Sequence, residues 1–173
     1  MINQLSTMGL EEKYNIYRLS DGSTIGCTLI DTNGTERYRF LTESYYKKAE
    51  GCLLIYDITN RRSFEELERY YIPKIKEKCN NNLVTILLGN KKDMEDKRKV
   101  SYEEANNLAL KYNFVFKEAS CTENQNVFDI FQNIIELTYF ELKKNEESKD
   151  NESITLSSHS HRRNLNCFKS CCF

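Results

Sequence analysis

Three short apolar runs constrain this chain most: Leu53-Leu54-Ile55-Tyr56, Leu83-Val84-Thr85-Ile86-Leu87-Leu88 and Phe114-Val115-Phe116. The first two are nearly continuous. That suits parallel strands buried on both faces, not strands with one face in water. Between and after them lie stretches at helical spacing, roughly 61–79, 101–112 and 124–144. The last carries Val127, Ile130, Phe131, Ile134, Ile135 and Leu137 at that spacing. Strands alternating with helices predict a doubly wound α/β domain, which takes its ligand at the carboxyl ends of the strands.

Two further strands are expected at 14–19 and 24–31, the first antiparallel to the second. They flank Ser20-Asp21-Gly22-Ser23, and Asp-Gly between β-rich runs signals a hairpin. Ser63 with Glu66, and Ser101 with Glu104, stand at capping-box spacing. Pro73 is expected to kink or divide the first helix, because proline has no N–H to give. From about residue 145 the chain turns to Glu, Ser, Asn, Lys and His, a composition that predicts a disordered tail. The organisation read from sequence is therefore a domain over 1–144 and a flexible tail over 145–173.

Net charge of −1 offers no electrostatic footprint for nucleic acid. No run is long and apolar enough to cross a membrane, and the first residues are short and mostly polar. The seven cysteines are an odd number. Cys27, Cys52, Cys79 and Cys121 lie singly in or beside apolar segments, as small core residues do. Cys167, Cys171 and Cys172 stand in the polar tail, and a reducing cytosol is expected.

Three loop motifs each follow an expected strand. In Asp31-Thr32-Asn33-Gly34, a strand-end Asp suits Mg²⁺ held through water, and the Gly lets a backbone N–H approach a phosphate. The plain alternative is an Asp/Asn/Gly turn. In Asn90-Lys91-Lys92-Asp93, a carboxylate can accept two parallel hydrogen bonds from the N1–H and N2–H edge of guanine. Adenine lacks that pair, so specificity follows. Lys91 can lay its stem over the base; the alternative is a charged loop entering a helix. At Ser120-Cys121 a backbone N–H suits guanine O6, against the alternative of a loop with a buried Cys. Cys171-Cys172-Phe173 in a flexible tail suits double prenylation, since one lipid anchors marginally and two anchor stably. The alternatives are incidental cysteines or a metal pair with His159 and His161, whose spacing matches no familiar zinc pattern.

With these motifs in order, the region from Ser6 to about Leu142 resembles the Rab branch of the Ras-like small GTPases. Ser6-Thr7-Met8-Gly9 resembles the family's switch I, where the Thr binds Mg²⁺. Arg37 to Thr42 and Tyr45 to Ala49 resemble switch II, and Gly51 to Thr59 the strand that follows. The resemblance implies a P-loop-NTPase-type G domain with GTP/GDP and Mg²⁺ as ligands. It assigns Asp31, Thr32, Asn33, Gly34, Asn90, Lys91, Asp93, Ser120 and Cys121 to nucleotide and Thr7 and Asp31 to metal. It implies effectors, exchange factors, GTPase-activating proteins, and prenylation and membrane-extraction machinery as partners. It also implies attachment to the cytosolic face of a membrane by geranylgeranyl groups on Cys171 and Cys172.

The chain departs from the family pattern in four places. No glycine begins a G-x-x-x-x-G-K-[ST] loop. Thr35 stands where the family's catalytic Gln positions water. Glu12 and Ile30 replace aromatics of the effector surface, and Thr122 replaces a Lys. In the family sheet, the strand before the phosphate loop is central, between the strand ending at Asp31 and the strand ending at Asp57. The mostly parallel sheet is therefore expected to lack that strand, leaving a gap or forcing its neighbours to pair directly. Membrane traffic is the leading functional expectation. A nucleotide-independent, lipid-anchored adaptor and a non-functional fragment of a longer Rab are the alternatives.

Overall fold

The computed structural model describes residues 11–32, 47–79, 82–150 and 164–171. Strand β1 (Glu11–Arg18) pairs antiparallel with β2 (Thr24–Thr32), in register from Glu11 opposite Asp31 to Arg18 opposite Thr24. The turn between them obeys its residue types. Gly22 takes φ +84°, which costs glycine little. The Asp21 carboxylate accepts the Ser23 backbone N–H at 2.9 Å, and the Leu19 N–H reaches the Ser23 carbonyl at 2.9 Å.

The parallel part follows the apolar runs. β3 (Gly51–Asp57) pairs with β4 (Val84–Asn90), and β4 with β5 (Val115–Glu118). β3 is buried throughout, as a run of Cys, Leu, Leu, Ile and Tyr requires. Because side chains alternate across a strand, the sheet feeds two cores. On one face Cys52, Leu54, Tyr56 and Leu87 meet Phe64, Leu67, Ile72, Ile75, Ala105 and Leu108. On the other, Leu53, Ile55, Ile86 and Leu88 meet Ile130, Ile134 and Ile135, together with Leu19, Ile25 and Cys27 of the hairpin region.

The helices follow their periodicity with local corrections. The first expected helix is α1 (Arg61–Glu66), a π-helical turn at Leu67–Tyr71, and α2 (Ile72–Lys78). The division falls just before Pro73, where the missing N–H interrupts the α-helical ladder. Ser101 caps α3 (Tyr102–Tyr112) as its spacing predicts, accepting the Glu104 N–H at 3.1 Å. Ser63 does not cap: Asn60 holds the N-cap position, and the Ser63 hydroxyl donates to the Asn60 carbonyl at 2.7 Å from inside the helix. Helix α4 (Val127–Asp150) runs past the expected domain boundary at 144. Cys27 and Cys52 are buried as expected, Cys79 is half-buried, and Cys121 is exposed.

The expected gap between β2 and β3 is filled. Strand β6 (Asn164–Cys171), from the expected tail, runs parallel to both neighbours, and the sheet order is β1-β2-β6-β3-β4-β5. Gly26 to Thr32 pair with Asn164 to Ser170, and Gly51 to Ile55 pair with Cys167 to Cys171. The physical reason is backbone accounting. Two facing central edges present rows of N–H and C=O groups, and buried ones must find partners. The polar composition of Asn164-Leu165-Asn166-Cys167-Phe168-Lys169-Ser170-Cys171 concealed the strand from sequence reasoning.

Tyr56 and Gly89 make one tight contact in the first core. The Tyr56 ring meets Phe64 edge-on at 5.0 Å. Its hydroxyl is buried with no hydrogen-bond partner among the described residues, and burial raises its pKa. A Cβ on Gly89 would lie 2.9 Å from that hydroxyl and 3.1 Å from Ile58 Cγ2. Gly89→Ala should therefore lower stability by about 1–3 kcal/mol through overpacking. Tyr56→Phe should be neutral or stabilising, and adding it to Gly89→Ala should restore part of the loss, as measured by urea denaturation.

Candidate functional site

All five parallel strands point the same way, so their carboxyl ends share one edge of the sheet. Asp57, Asn90 and Glu118 stand at the ends of β3, β4 and β5, with Asp31 one residue before the end of β2. The loops leaving these strands are fastened to one another. The Ala119 N–H donates to the Gly89 carbonyl at 2.9 Å, and the Lys92 N–H to the Ala119 carbonyl at 3.0 Å.

Asn90 is the central fastening. Only 9% of it is exposed. Its carboxamide oxygen accepts the Lys91 N–H at 2.8 Å and, more weakly, the Cys121 N–H at 3.4 Å. One side chain thus binds the Asn90–Asp93 loop to the Ser120–Cys121 loop. Lys91 beside it is left-handed, at φ 66° and ψ 37°. That conformation is uncommon for a residue other than glycine, and such departures cluster at functional sites.

Asp93 and Ser120 form a second fastening. The Ser120 hydroxyl donates to Asp93 Oδ1 at 2.5 Å and accepts the Glu123 N–H at 3.1 Å. Ser120 is fully buried whereas Asp93 is exposed, so the carboxylate is held from behind and open in front. A carboxylate has several acceptor positions. Binding one serine hydroxyl leaves capacity for two parallel donors.

The sequence reading gave no supporting role to three charged residues that brace these loops. Lys91 Nζ lies 2.7 Å from Asp57 Oδ2. Asp57 Oδ1 also accepts the Thr59 N–H at 2.8 Å and the Thr59 hydroxyl at 2.7 Å. Burial works to raise the Asp57 pKa, but the hydrogen bonds from Lys91 and Thr59 together hold it below the ordinary carboxylate value. Asp57 had the signature that marked Asp31, an acid ending an apolar strand. Glu118 opened the motif Glu118-Ala119-Ser120-Cys121, but neither it nor Arg98 bore a sign of their pairing. Arg98 reaches Glu118 with two bonds, at 2.7 and 3.0 Å, and grips Glu95 as well. The hydrogen bonds it donates to Glu95 and Glu118 raise its pKa further.

The structure therefore brings Asn90, Lys91, Asp93, Ser120 and Cys121 into one cluster. Asp31 lies on the same sheet edge, half-buried, beyond β6 and β3. Thr32 ends β2. Thr7, Asn33, Gly34, Thr35 and Cys172 lie outside the described residues, as do His159 and His161. Cys171 ends β6, with its Cα paired to Ile55. Among the described residues no group of three or more His, Cys, Asp or Glu could hold a metal ion. Of the residues expected to meet a base, the described part thus holds Asn90, Lys91, Asp93, Ser120 and Cys121 together, and of those expected to meet Mg²⁺ it includes Asp31. No helix among the described residues is long and apolar enough to cross a membrane.

The Asp57 environment gives a pH test. A depressed carboxyl pKa adds stability above the ordinary carboxylate pKa, and that stability is lost as pH falls through the depressed value. The melting temperature should fall on acidification below about pH 4. Asp57→Asn should lower it at neutral pH and flatten this acid limb, as followed by circular dichroism across pH.

A sequence profile of the Ras family matches residues 2–139. The chain is 41% identical over 127 residues to Ras-related protein Rab-8B of Bos taurus and 42% identical over 127 residues to Ras-related protein Rab-8A of Pongo abelii. Each alignment covers 73% of this chain and 60% of the relative, so the chain spans less than two thirds of their length. The GTP-binding protein ypt2 of Schizosaccharomyces pombe is 34% identical over 168 residues, covering 97% of this chain and 81% of that protein.

Proposed function

Since the chain belongs to the Ras family, on its Rab branch, we propose that it is a Rab-like guanine-nucleotide-binding protein of membrane traffic. The observation that carries this is the joined loop pair, with Asp93 backed by Ser120 and the Asn90 carboxamide spanning both loops.

Asp93 accepts the N1–H and N2–H edge of guanine, and the Cys121 region offers a backbone N–H to O6. The Lys91 stem covers the base while its ammonium stays on Asp57. Adenine offers no matching donor pair and would strand the Asp93 charge, so the site selects guanine. Mg²⁺, when bound, neutralises phosphate charge; Asp31 would contribute to holding it, with Thr7. The family resemblance assigns the Asp31–Gly34 motif to the phosphate end. Thr35 has no side-chain amide to orient water, so hydrolysis is slow or absent.

For residues 1–173 taken alone, the affinity estimate counts the phosphate contacts of the family's G-x-x-x-x-G-K-[ST] loop, a motif not found in them. About six phosphate contacts at about 1.5–3 kcal/mol each amount to about 9 kcal/mol or more. At tenfold per 1.4 kcal/mol, their loss weakens binding by about a millionfold or more. Calorimetry of residues 1–173 with GTP or GDP and Mg²⁺ should show weak binding or none, and a nanomolar constant would refute the estimate. A small rise in melting temperature with guanine nucleotides, absent with ATP and abolished in Asp93→Ala, would support base recognition. No rise with either nucleotide would favour a nucleotide-independent adaptor.

The terminal cysteines complete the proposal. Geranylgeranyl groups on Cys171 and Cys172 attach the protein to the cytosolic face of a membrane. There, effectors, exchange factors, GTPase-activating proteins and the prenylation and membrane-extraction machinery meet it. One chain anchors marginally, so a single Cys→Ser change should weaken membrane association and the double change should abolish it. Fractionation of a Cys171→Ser, Cys172→Ser variant tests this. A double variant that sediments with membranes as the parent does would remove the anchor from the proposal.

A further inference from the structure

We propose that strand β6 is a detachable clasp, which joins the two halves of the sheet when seated and separates them by leaving without unfolding the rest. The first ground is topology. Among the described residues, the β1-β2 hairpin meets β3, β4 and β5 through no backbone ladder but that of β6. Beyond that ladder, the Ser20 N–H donates to Glu136 at 2.9 Å and the Gln132 amide to the Arg18 carbonyl at 2.9 Å, while Ile30 packs in the first core and Ile25 and Cys27 in the second. Those attachments leave the hairpin tethered when the ladder opens.

The second ground is sequence mismatch. A central parallel strand ordinarily carries an almost unbroken apolar run, because both its faces are covered. β3 and β4 meet that requirement with Gly-Cys-Leu-Leu-Ile-Tyr-Asp and Val-Thr-Ile-Leu-Leu-Gly-Asn. β6 has Asn164, Asn166, Lys169 and Ser170 among its eight residues. Lys169 stands in register with Leu53 on one side and Asp31 on the other. The backbone ladder thus favours seating, while the sequence departs from the unbroken apolar run that a central parallel strand ordinarily carries. A strand balanced in this way opens more easily than its neighbours.

The third ground is order along the chain. β6 pairs with β2 and β3 from far along the sequence, and α3, β5 and α4 are complete before it begins. Helix α4 and the β3-β4-β5 sheet retain their own core contacts when it leaves. Opening is then a local transition, of the kind by which native proteins unfold in parts.

The consequence for the site rests on the nucleotide reading above. Asp31 lies on one side of the clasp, and Asn90, Lys91, Asp93 and Ser120 lie on the other. Seating therefore sets the distance between the phosphate end and the base end. Anything that draws the tail outward, membrane attachment at Cys171 and Cys172 included, opens the site.

Hydrogen exchange of the full unmodified chain, without nucleotide, tests the clasp directly. Amides of residues 166–171 and of the facing part of β2 should be protected. They should exchange through a common opening about tenfold or more faster than Ile86 to Leu88 of β4. In full-length Phe168→Pro, the proline cannot donate at the position paired with Ile30 and Cys52. Protection should then be lost at the amides of β2 and of residues 51–55 that face β6, but kept in 86–88 and 102–112. Three results would overturn the clasp. Residues 164–171 could exchange as an unstructured peptide, β6 could share one opening rate with β4, or Phe168→Pro could strip protection from the whole chain. Nucleotide binding is absent from this experiment, so a failure of the guanine reading leaves its outcome unchanged.

Discussion

The ladder of backbone hydrogen bonds on either side of β6 makes six strands into one sheet. β2 and β3 each present an edge whose donors and acceptors must be satisfied once the surrounding cores exclude water. Seven residue pairs on the β2 side and five on the β3 side meet that need. The side chains of the two cores sit above and below this continuous layer. The hairpin bearing Asp31 and the strands bearing Asn90 and Glu118 are aligned by it, so the carboxyl edge becomes one surface.

Along that edge, the base-recognition loops are rigid for reasons independent of any ligand. Asn90 is nearly buried and satisfies backbone donors from two loops. Asp57 is paired by Lys91 and Thr59, and Glu118 is gripped by Arg98. Breaking a buried pair by removing one partner leaves an uncompensated charge, typically at about 3–5 kcal/mol. These pairs therefore hold the loops in place, and Asp93, the group proposed to meet the base, is the exposed member. The arrangement suits selection of a base, because its ordering precedes binding and is not charged against affinity.

Much of this was legible in order and type. Buried parallel strands were readable because β3 and β4 are nearly continuous apolar runs. The hairpin was readable from Asp21-Gly22, and the Ser101 cap from its spacing to Glu104. Ser63 misled because the same Ser-x-x-Glu spacing lies one turn inside the helix, where the hydroxyl bonds the Asn60 carbonyl. Cys121 was read as a core residue but is exposed on the loop fastened by Asn90. Arg98 carries no local mark, since its partner Glu118 lies twenty residues on and on another element.

The sequence by itself determined the fold class, the order of motifs and the residue types gathered in the loops after β4 and β5. Those depend on local periodicity and on chemistry carried within a few consecutive residues. Tertiary structure alone decided which segment closes the sheet. An edge accepts any backbone of suitable reach, and hydrogen bonds between main chains carry no record of side-chain identity. A polar segment read as tail could therefore take the central position, joining two halves of a site whose residues were visible all along.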